Sequence, residues 1–279
     1  MEISVAYKMC QQVMEHHSKS FSKAFQLLPL EKRQAVWAIY AFCRTVDDIV
    51  DEGTNPVTEL NDFKTNFEQF RNGTIDESDY LWIALNDTFS KFDFDIQPFL
   101  DMVKGQEMDL YKSRYNTMEE LEQYAYYVAS TVGLMLLPIL SPENKEQLRP
   151  SAISLGLAMQ ITNILRDIGE DLDRDRIYIP KDLRDKHNYT DTMLANKEVN
   201  PAFVRMCEEL SNIAEQNYEK GLANIELYPQ FSRLPVTLSA YYYKAILTSI
   251  RQNNYDVFGK RAYVTTQQKQ HILKMVAKA

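Results

Sequence analysis

A chain of 279 residues is long enough to bury a sizeable hydrophobic core, as one large domain or two small ones. With 45% hydrophobic residues, only 8 glycines and no sustained Val/Ile/Thr alternation between turn residues, it favours an all-α fold. A net charge of −8 argues against nucleic acid as a partner, and three widely spaced cysteines (Cys10, Cys43, Cys207) fit a reducing cytosol without a disulfide framework. No C-x-x-C or Cys/His pair offers a zinc site.

Residues 3–17 carry helical periodicity, and the Leu28-Pro29 loop precedes a long helix over 31–51, broken by Gly53-Thr54-Asn55-Pro56. Helices follow at 57–71, 78–91 and 96–113. Thr117-Met118-Glu119-Glu120 reads as a capping-box start of a helix reaching residue 140. Another helix spans 150–171, then a loop with local β-like character at 174–180 and a short helical turn at 181–187. The last helices are 200–227, 233–254 and 265–277. No linker, repeat or low-complexity segment is visible, so residues 1–279 are expected to form a single domain. Met1-Glu2-Ile3-Ser4-Val5 does not begin a signal peptide, and the most apolar run, 132–140, is too short to span a bilayer. A cytoplasmic protein is expected.

Two acidic stretches dominate the functional reading. The first is Asp47-Asp48-Ile49-Val50-Asp51, the second Asn163-Ile164-Leu165-Arg166-Asp167 continuing to Asp171. On helices, Tyr40, Arg44, Asp47 and Asp51 fall within about 60° of one another, and Gln160, Asn163, Asp167 and Asp171 within about 80°. Either row alone is as readily a solvated helix face. Their flanks are apolar, however: Ala35, Val36, Ala38, Ile39, Ala41 and Phe42 lead into the first, and Leu155, Leu157, Ala158, Ile161, Ile164 and Leu165 into the second. Carboxylates there are costly unless compensated. Two such stripes facing each other would repel unless cations lay between them. Oxygen ligands one turn apart, about 6 Å in rise, suit Mg²⁺ that shares substrate phosphates. A diphosphate-binding enzyme follows. Asp171-Leu172-Asp173-Arg174-Asp175 opens like a calcium loop, but Arg176 stands where that loop needs glycine.

Diphosphate needs donors on its remaining oxygens. His17-Ser18-Lys19-Ser20 supplies an imidazole, two hydroxyls and an ammonium, and Arg44 and Arg166 each sit beside carboxylates. Either arginine could instead be a salt-bridge partner of its neighbours. Tyr241-Tyr242-Tyr243 and Lys260-Arg261 are further candidates, although a tyrosine triplet also suits a core. Nucleophile elbow, P-loop and dinucleotide fingerprint are all absent from the sequence. Metal-assisted loss of diphosphate needs none of them; an aromatic pocket would shelter the resulting carbocation.

With these residues in hand, the chain resembles the squalene/phytoene synthase family. The likeness is carried by Tyr40-Ala41-Phe42-Cys43-Arg44-Thr45-Val46-Asp47-Asp48-Ile49-Val50-Asp51 and by Tyr124-Ala125-Tyr126-Tyr127-Val128-Ala129-Ser130-Thr131-Val132-Gly133. A third stretch runs from Leu155-Gly156 through Gln160, Asn163, Arg166, Asp167 and Asp171 to Arg176-Ile177-Tyr178-Ile179-Pro180. Smaller echoes are His17-Ser18-Lys19-Ser20-Phe21 and Gly105-Gln106-Glu107-Met108-Asp109.

The resemblance implies an all-α prenyltransferase fold around a central cavity and head-to-head condensation of two prenyl diphosphates with several Mg²⁺ ions. It implies Asp47, Asp51, Asn163 and Asp167 as metal ligands. His17, Ser18, Lys19, Ser20, Tyr40, Arg44, Gln160, Arg166, Tyr243 and Arg261 are implied as substrate contacts. Ser130 and Tyr127 occupy places often held by glycine, implying a narrower pocket wall. Within the family, His17-Ser18-Lys19-Ser20-Phe21-Ser22-Lys23-Ala24-Phe25 and Ala35-Val36-Trp37-Ala38-Ile39-Tyr40 look most like the dehydrosqualene-forming branch. That branch joins two farnesyl diphosphates through presqualene diphosphate without NADPH. Phe25 and Trp37 are expected to cap the tail cavity at fifteen carbons. The alternatives are phytoene synthase, squalene synthase, and a non-catalytic prenyl-lipid-binding or assembly factor. A monomer is expected, with peripheral membrane contact for product release.

Overall fold

In the computed structural model, which describes residues 1–277, fourteen α-helices form and no strand is present among the described residues. The 174–180 loop is β-like only to the extent of one isolated parallel bridge between Arg114 and Ile177. The helices group into two compact units.

The first unit comprises residues 1–111, 131–149 and 225–239. It holds α1 (Ile3–His17), α2 (Lys19–Phe25), α3 (Leu30–Glu52), α4 (Pro56–Arg71), α5 (Tyr80–Lys91), α6 (Gln97–Met108) and α8 (Thr131–Leu140). The middle helix is α3, which packs against α1, α4, α5, α6 and α8. Its apolar residues recur on every turn, and Ala35, Val36, Ala38, Ile39, Ala41, Phe42, Val46 and Val50 are all buried. Phe42 anchors an aromatic cluster, with ring centroids 5.4 Å from Phe63, 5.2 Å from Phe67 and 5.3 Å from Phe99. Trp82 extends it, 5.4 Å from Phe63. This packing holds α3 rigid on one side while its Arg44–Asp51 stripe stays half-buried on the other.

The second unit comprises residues 112–130, 150–224 and 240 onward. It contains α7 (Met118–Ala125), a π-helical turn (Tyr126–Ser130), and α9 (Lys145–Asp173) from Pro150 on. It also contains α10 (Lys181–Lys186), α11 (Asp191–Ala195), α12 (Pro201–Leu222), α13 (Gln230–Gln252) from Ala240 on, and α14 (Thr266–Val276). Tyr124 stacks 5.0 Å from Tyr178 and lies 5.3 Å from Tyr115, fastening the 174–180 loop to α7. On α9, Ala158, Ile161, Ile164 and Leu165 are buried, which sets the opposite stripe of Gln160, Asn163 and Asp167 at the half-buried face.

Several boundaries differ from the sequence expectation for identifiable reasons. Asp79 caps the helix expected at 78–91 by accepting from Leu81 N at 2.8 Å, so it starts at Tyr80. Helix α9 begins at Lys145 and tolerates Pro150 near its start. Helices α2 and α11 were not expected; each is short and opened by a side-chain cap, Ser18 and Thr190 respectively. The run Met118–Leu140 is continuous through the π turn, and its 23 residues are long and apolar enough to cross a membrane by length and composition. Burial of 61% of its most apolar window marks it as a core helix.

Candidate active site

The first acidic motif is organised by Arg44. Its Nη1 donates to Asp47 Oδ2 at 2.8 Å, its Nη2 pairs with Asp48, and Glu52 lies 3.6 Å away. The guanidinium Nε is buried without a hydrogen-bond partner. Burial pushes the Asp47 carboxyl up to about 6; Arg44 opposes this, while Asp51, Asp48 and Asp109 reinforce it. Asp109 belongs to the Gly105-to-Asp109 stretch, so the structure brings that minor motif to Asp47, and Asp48 joins as the second partner of Arg44. Sequence spacing along α3 could have suggested Asp48 but not Asp109, which arrives through tertiary packing.

His17 ends α1 and is held below its ordinary value by burial and then by the Arg44 charge, with Asp48 and Glu52 pulling the other way. Imidazole, guanidinium and the Asp47–Asp48 pair therefore share one neighbourhood. Tyr40 is close enough to Arg44 to support its charge. Ser18 has a structural duty, since its Oγ accepts from Phe21 N at 3.4 Å and caps α2. Lys19 is exposed and Ser20 half-buried beside it.

The second motif is organised around Asp167. Arg166 Nε donates to Asp167 Oδ1 at 2.7 Å and its Nη2 pairs with Oδ2. Burial works against the Arg166 charge, but the Asp167 hydrogen bond and charge more than offset it, with Tyr243 and Glu170 adding to the effect. Arg261 also reaches Asp167, 3.1 Å from Oδ1 and 3.2 Å from Oδ2, and donates from Nη1 to Glu170 Oε1 at 3.0 Å. Gln160 Oε1 accepts from Asn163 Nδ2 at 3.4 Å, which leaves Asn163 Oδ1 buried with no partner. Sequence reasoning did not single out Glu170.

The donor chemistry suits a hard cation. Both motifs offer oxygen ligands, and the orphaned Asn163 Oδ1 is an acceptor waiting for one. No three His, Cys, Asp or Glu side chains close around one point among the described residues, so neither motif is a protein-only cage. Mg²⁺ is ordinarily held by one or two carboxylates together with substrate phosphates.

The two residues expected to floor the tail cavity differ. Phe25 is buried and stacks on Phe21 at 5.8 Å. Trp37 is half-buried, with the Arg33 guanidinium 5.5 Å from its ring. Ser130 is fully buried, and its Oγ donates to Ile153 O at 2.8 Å. Tyr127 is half-buried beside Tyr126, their rings 5.5 Å apart.

The family model for squalene/phytoene synthase matches residues 14–268, a span that includes both motifs. The chain belongs to the squalene/phytoene synthase family. It is 40% identical to a phytoene synthase of Arthrospira platensis, over 98% of this chain and 92% of that one. It is 39% identical to a 15-cis-phytoene synthase of Synechococcus elongatus, over 96% and 91%. A crystal structure of a dehydrosqualene synthase in complex with ligand matches with a TM-score of 0.95 and 35% identity, over 99% of this chain and 96% of that one. The all-α prenyltransferase fold is thereby shown, as is membership of a family of head-to-head condensing transferases of isoprenoid and carotenoid biosynthesis.

Proposed function

We propose that this chain is a dehydrosqualene synthase, working as one domain. It joins two farnesyl diphosphates to presqualene diphosphate with loss of one diphosphate and one proton. Loss of the second diphosphate and of one proton then gives dehydrosqualene, and no NADPH is consumed. The observation that carries this reading is the near-complete match to a dehydrosqualene synthase structure, with a TM-score of 0.95, together with a buried Phe25 at the end of α2. A phytoene synthase, acting on twenty-carbon substrates, is the second reading. It is favoured by 40% identity to a phytoene synthase against 35% to the dehydrosqualene synthase.

Asp47, Asp51, Asn163 and Asp167 would hold Mg²⁺, which supplies charge to stabilise the departing diphosphate. The chain's own residues do the rest. Arg44, with a free Nε, and Arg166 offer forked donors to phosphate oxygens. Lys19, exposed beside Ser20, adds a mobile cation, and His17, Tyr40, Ser18, Gln160, Tyr243 and Arg261 complete the contacts. Aromatic faces exclude water and stabilise carbocations. The chain acts as a cytoplasmic monomer, with peripheral membrane contact as the hydrocarbon leaves. Comparing kcat/KM for farnesyl and geranylgeranyl diphosphate under single-substrate conditions tests the reading: farnesyl diphosphate is expected to be preferred, and a preference for geranylgeranyl diphosphate supports phytoene synthase instead.

A further inference from the structure

Asp167 is covered. Its Oδ1 faces Arg166 Nε at 2.7 Å and Arg261 Nη2 at 3.1 Å, and its Oδ2 faces Arg166 Nη2 and Arg261 Nη2, the latter at 3.2 Å. A carboxylate has about four lone-pair sites. Three hydrogen bonds, with Arg261 Nη2 also close to Oδ1, take most of them, so a cation reaching Asp167 must compete with these arginines.

The two arginines are not equally free to go. Arg166 is adjacent in sequence, fixed on α9, and its side chain is 17% exposed. Arg261 lies in the loop between α13 and α14, and its side chain is 53% exposed. Glu170, one turn after Asp167 on α9, holds the other end of the Arg261 fork at 3.0 Å. The backbone explains how the loop comes to lie there. Gly169 sits between Asp167 and Asp171, and a Cβ on it would stand 2.7 Å from Val257 O and 3.0 Å from Phe258 Cα. Without a side chain at 169, the loop rests directly on α9 and delivers Arg261 to Asp167 and Glu170.

We propose that Arg261 is a displaceable cover of Asp167, positioned by Glu170, so that Asp167 opens to a divalent cation only when an anion of the diphosphate class draws the guanidinium away. The proposal rests on the functional reading above and adds an order of events to it: diphosphate first, cation at Asp167 second. One movement then performs two tasks, since the guanidinium that leaves the carboxylate becomes a bidentate donor to the anion. Metal and diphosphate affinities are coupled, and the coupling is reciprocal.

Binding of Mn²⁺, followed by calorimetry and by its paramagnetic resonance signal, tests this without turnover. The wild-type chain should bind Mn²⁺ at least tenfold more tightly when inorganic diphosphate is present. Arg261→Gln should bind Mn²⁺ alone at least fivefold more tightly than wild type, and diphosphate should then add less than threefold. Lys260→Gln removes a neighbouring charge without uncovering Asp167, and should change Mn²⁺ affinity less than twofold. If Arg261→Gln binds Mn²⁺ alone no better than wild type, or if Lys260→Gln has the same effect as Arg261→Gln, the cover does not exist. If wild type binds no Mn²⁺ even with diphosphate, both the cover and the metal-dependent reading fall. Full diphosphate enhancement retained in Arg261→Gln overturns the cover alone.

Discussion

Gly156 on α9 lies against the backbone of Ser130: a Cβ on Gly156 would stand 2.3 Å from Ser130 Cα and 2.5 Å from its nitrogen. Ser130 closes the π-helical turn, and its hydroxyl donates to Ile153 O at 2.8 Å, so the turn is clamped to α9 by shape and by a hydrogen bond. The backbone-to-backbone approach cannot yield to a rotamer change. Gly156→Ala should therefore cost about 1–3 kcal/mol, read as a lower urea midpoint at unchanged slope. Ser130→Ala should cost about 0.5–1.5 kcal/mol.

The two motifs should respond differently to neutralisation. On sequence grounds, Asp47→Asn and Asp167→Asn both remove a charged ligand and relieve repulsion. The structure separates them. Each should lower activity by more than about a hundredfold. Because the folded Asp47 carboxyl titrates at about 6, above its ordinary value, the folded state binds the extra proton between about pH 4 and 6. Metal-free wild type thus loses stability as pH rises through that window, and Asp47→Asn escapes the loss. Its melting temperature at pH 7 should equal or exceed wild type. Asp167→Asn instead strips Arg166 and Arg261 of their shared partner, and should cost about 1–3 kcal/mol in metal-free protein. Thermal melts in a chelator at pH 4 and pH 7 check both signs.

Much of this was legible in the sequence because it is local. The helical rows 40–51 and 160–171, their apolar backs and the N-cap at Thr117 all follow from spacing along one element. The capping box expected there is only half formed, since Glu120 accepts from Asn116 N rather than from Thr117 N. What escaped was set by contacts distant in sequence. Asp109 reaches Asp47 only because α6 packs on α3, and Glu170 matters only because the 257–261 loop returns to α9. The π turn at 126–130 carries no breaker in sequence, and it ends where the Ser130 backbone packs on the bare Gly156 surface, a contact distant in sequence. Trp37 falls within about 20° of Arg44 around α3, on the half-buried motif stripe rather than the buried face, and so it stays half-exposed with Arg33 over its ring.

Acid stability should owe a share to Glu208. Arg251 donates to it from Nε at 2.8 Å and Nη2 at 3.0 Å, and this hydrogen bonding holds its carboxyl below the ordinary value. A depressed folded value means stability that is present above the unfolded value and lost as pH falls through the folded one. The pair is about a third exposed, so solvent screening keeps the contribution to about 1 kcal/mol. Glu208→Gln should lose that amount at pH 7 and less as pH falls into the acid range, by urea titration at each pH.

Tail length should respond to Phe25 and Trp37. Phe25→Ala removes a buried ring and should cost about 3–5 kcal/mol; Trp37→Ala, half-exposed, should cost less. If the space stays open, geranylgeranyl diphosphate should be accepted and forty-carbon product appear in chromatograms. Folded variants that still reject the longer substrate would make both rings plain packing.

The most direct measurement is the mass of the hydrocarbon released on incubation with farnesyl diphosphate and Mg²⁺ and no reductant, repeated with NADPH. The account predicts dehydrosqualene, thirty carbons, in equal yield with and without NADPH. Efficient conversion to squalene once NADPH is added, or no product from farnesyl diphosphate while geranylgeranyl diphosphate gives phytoene, would contradict it.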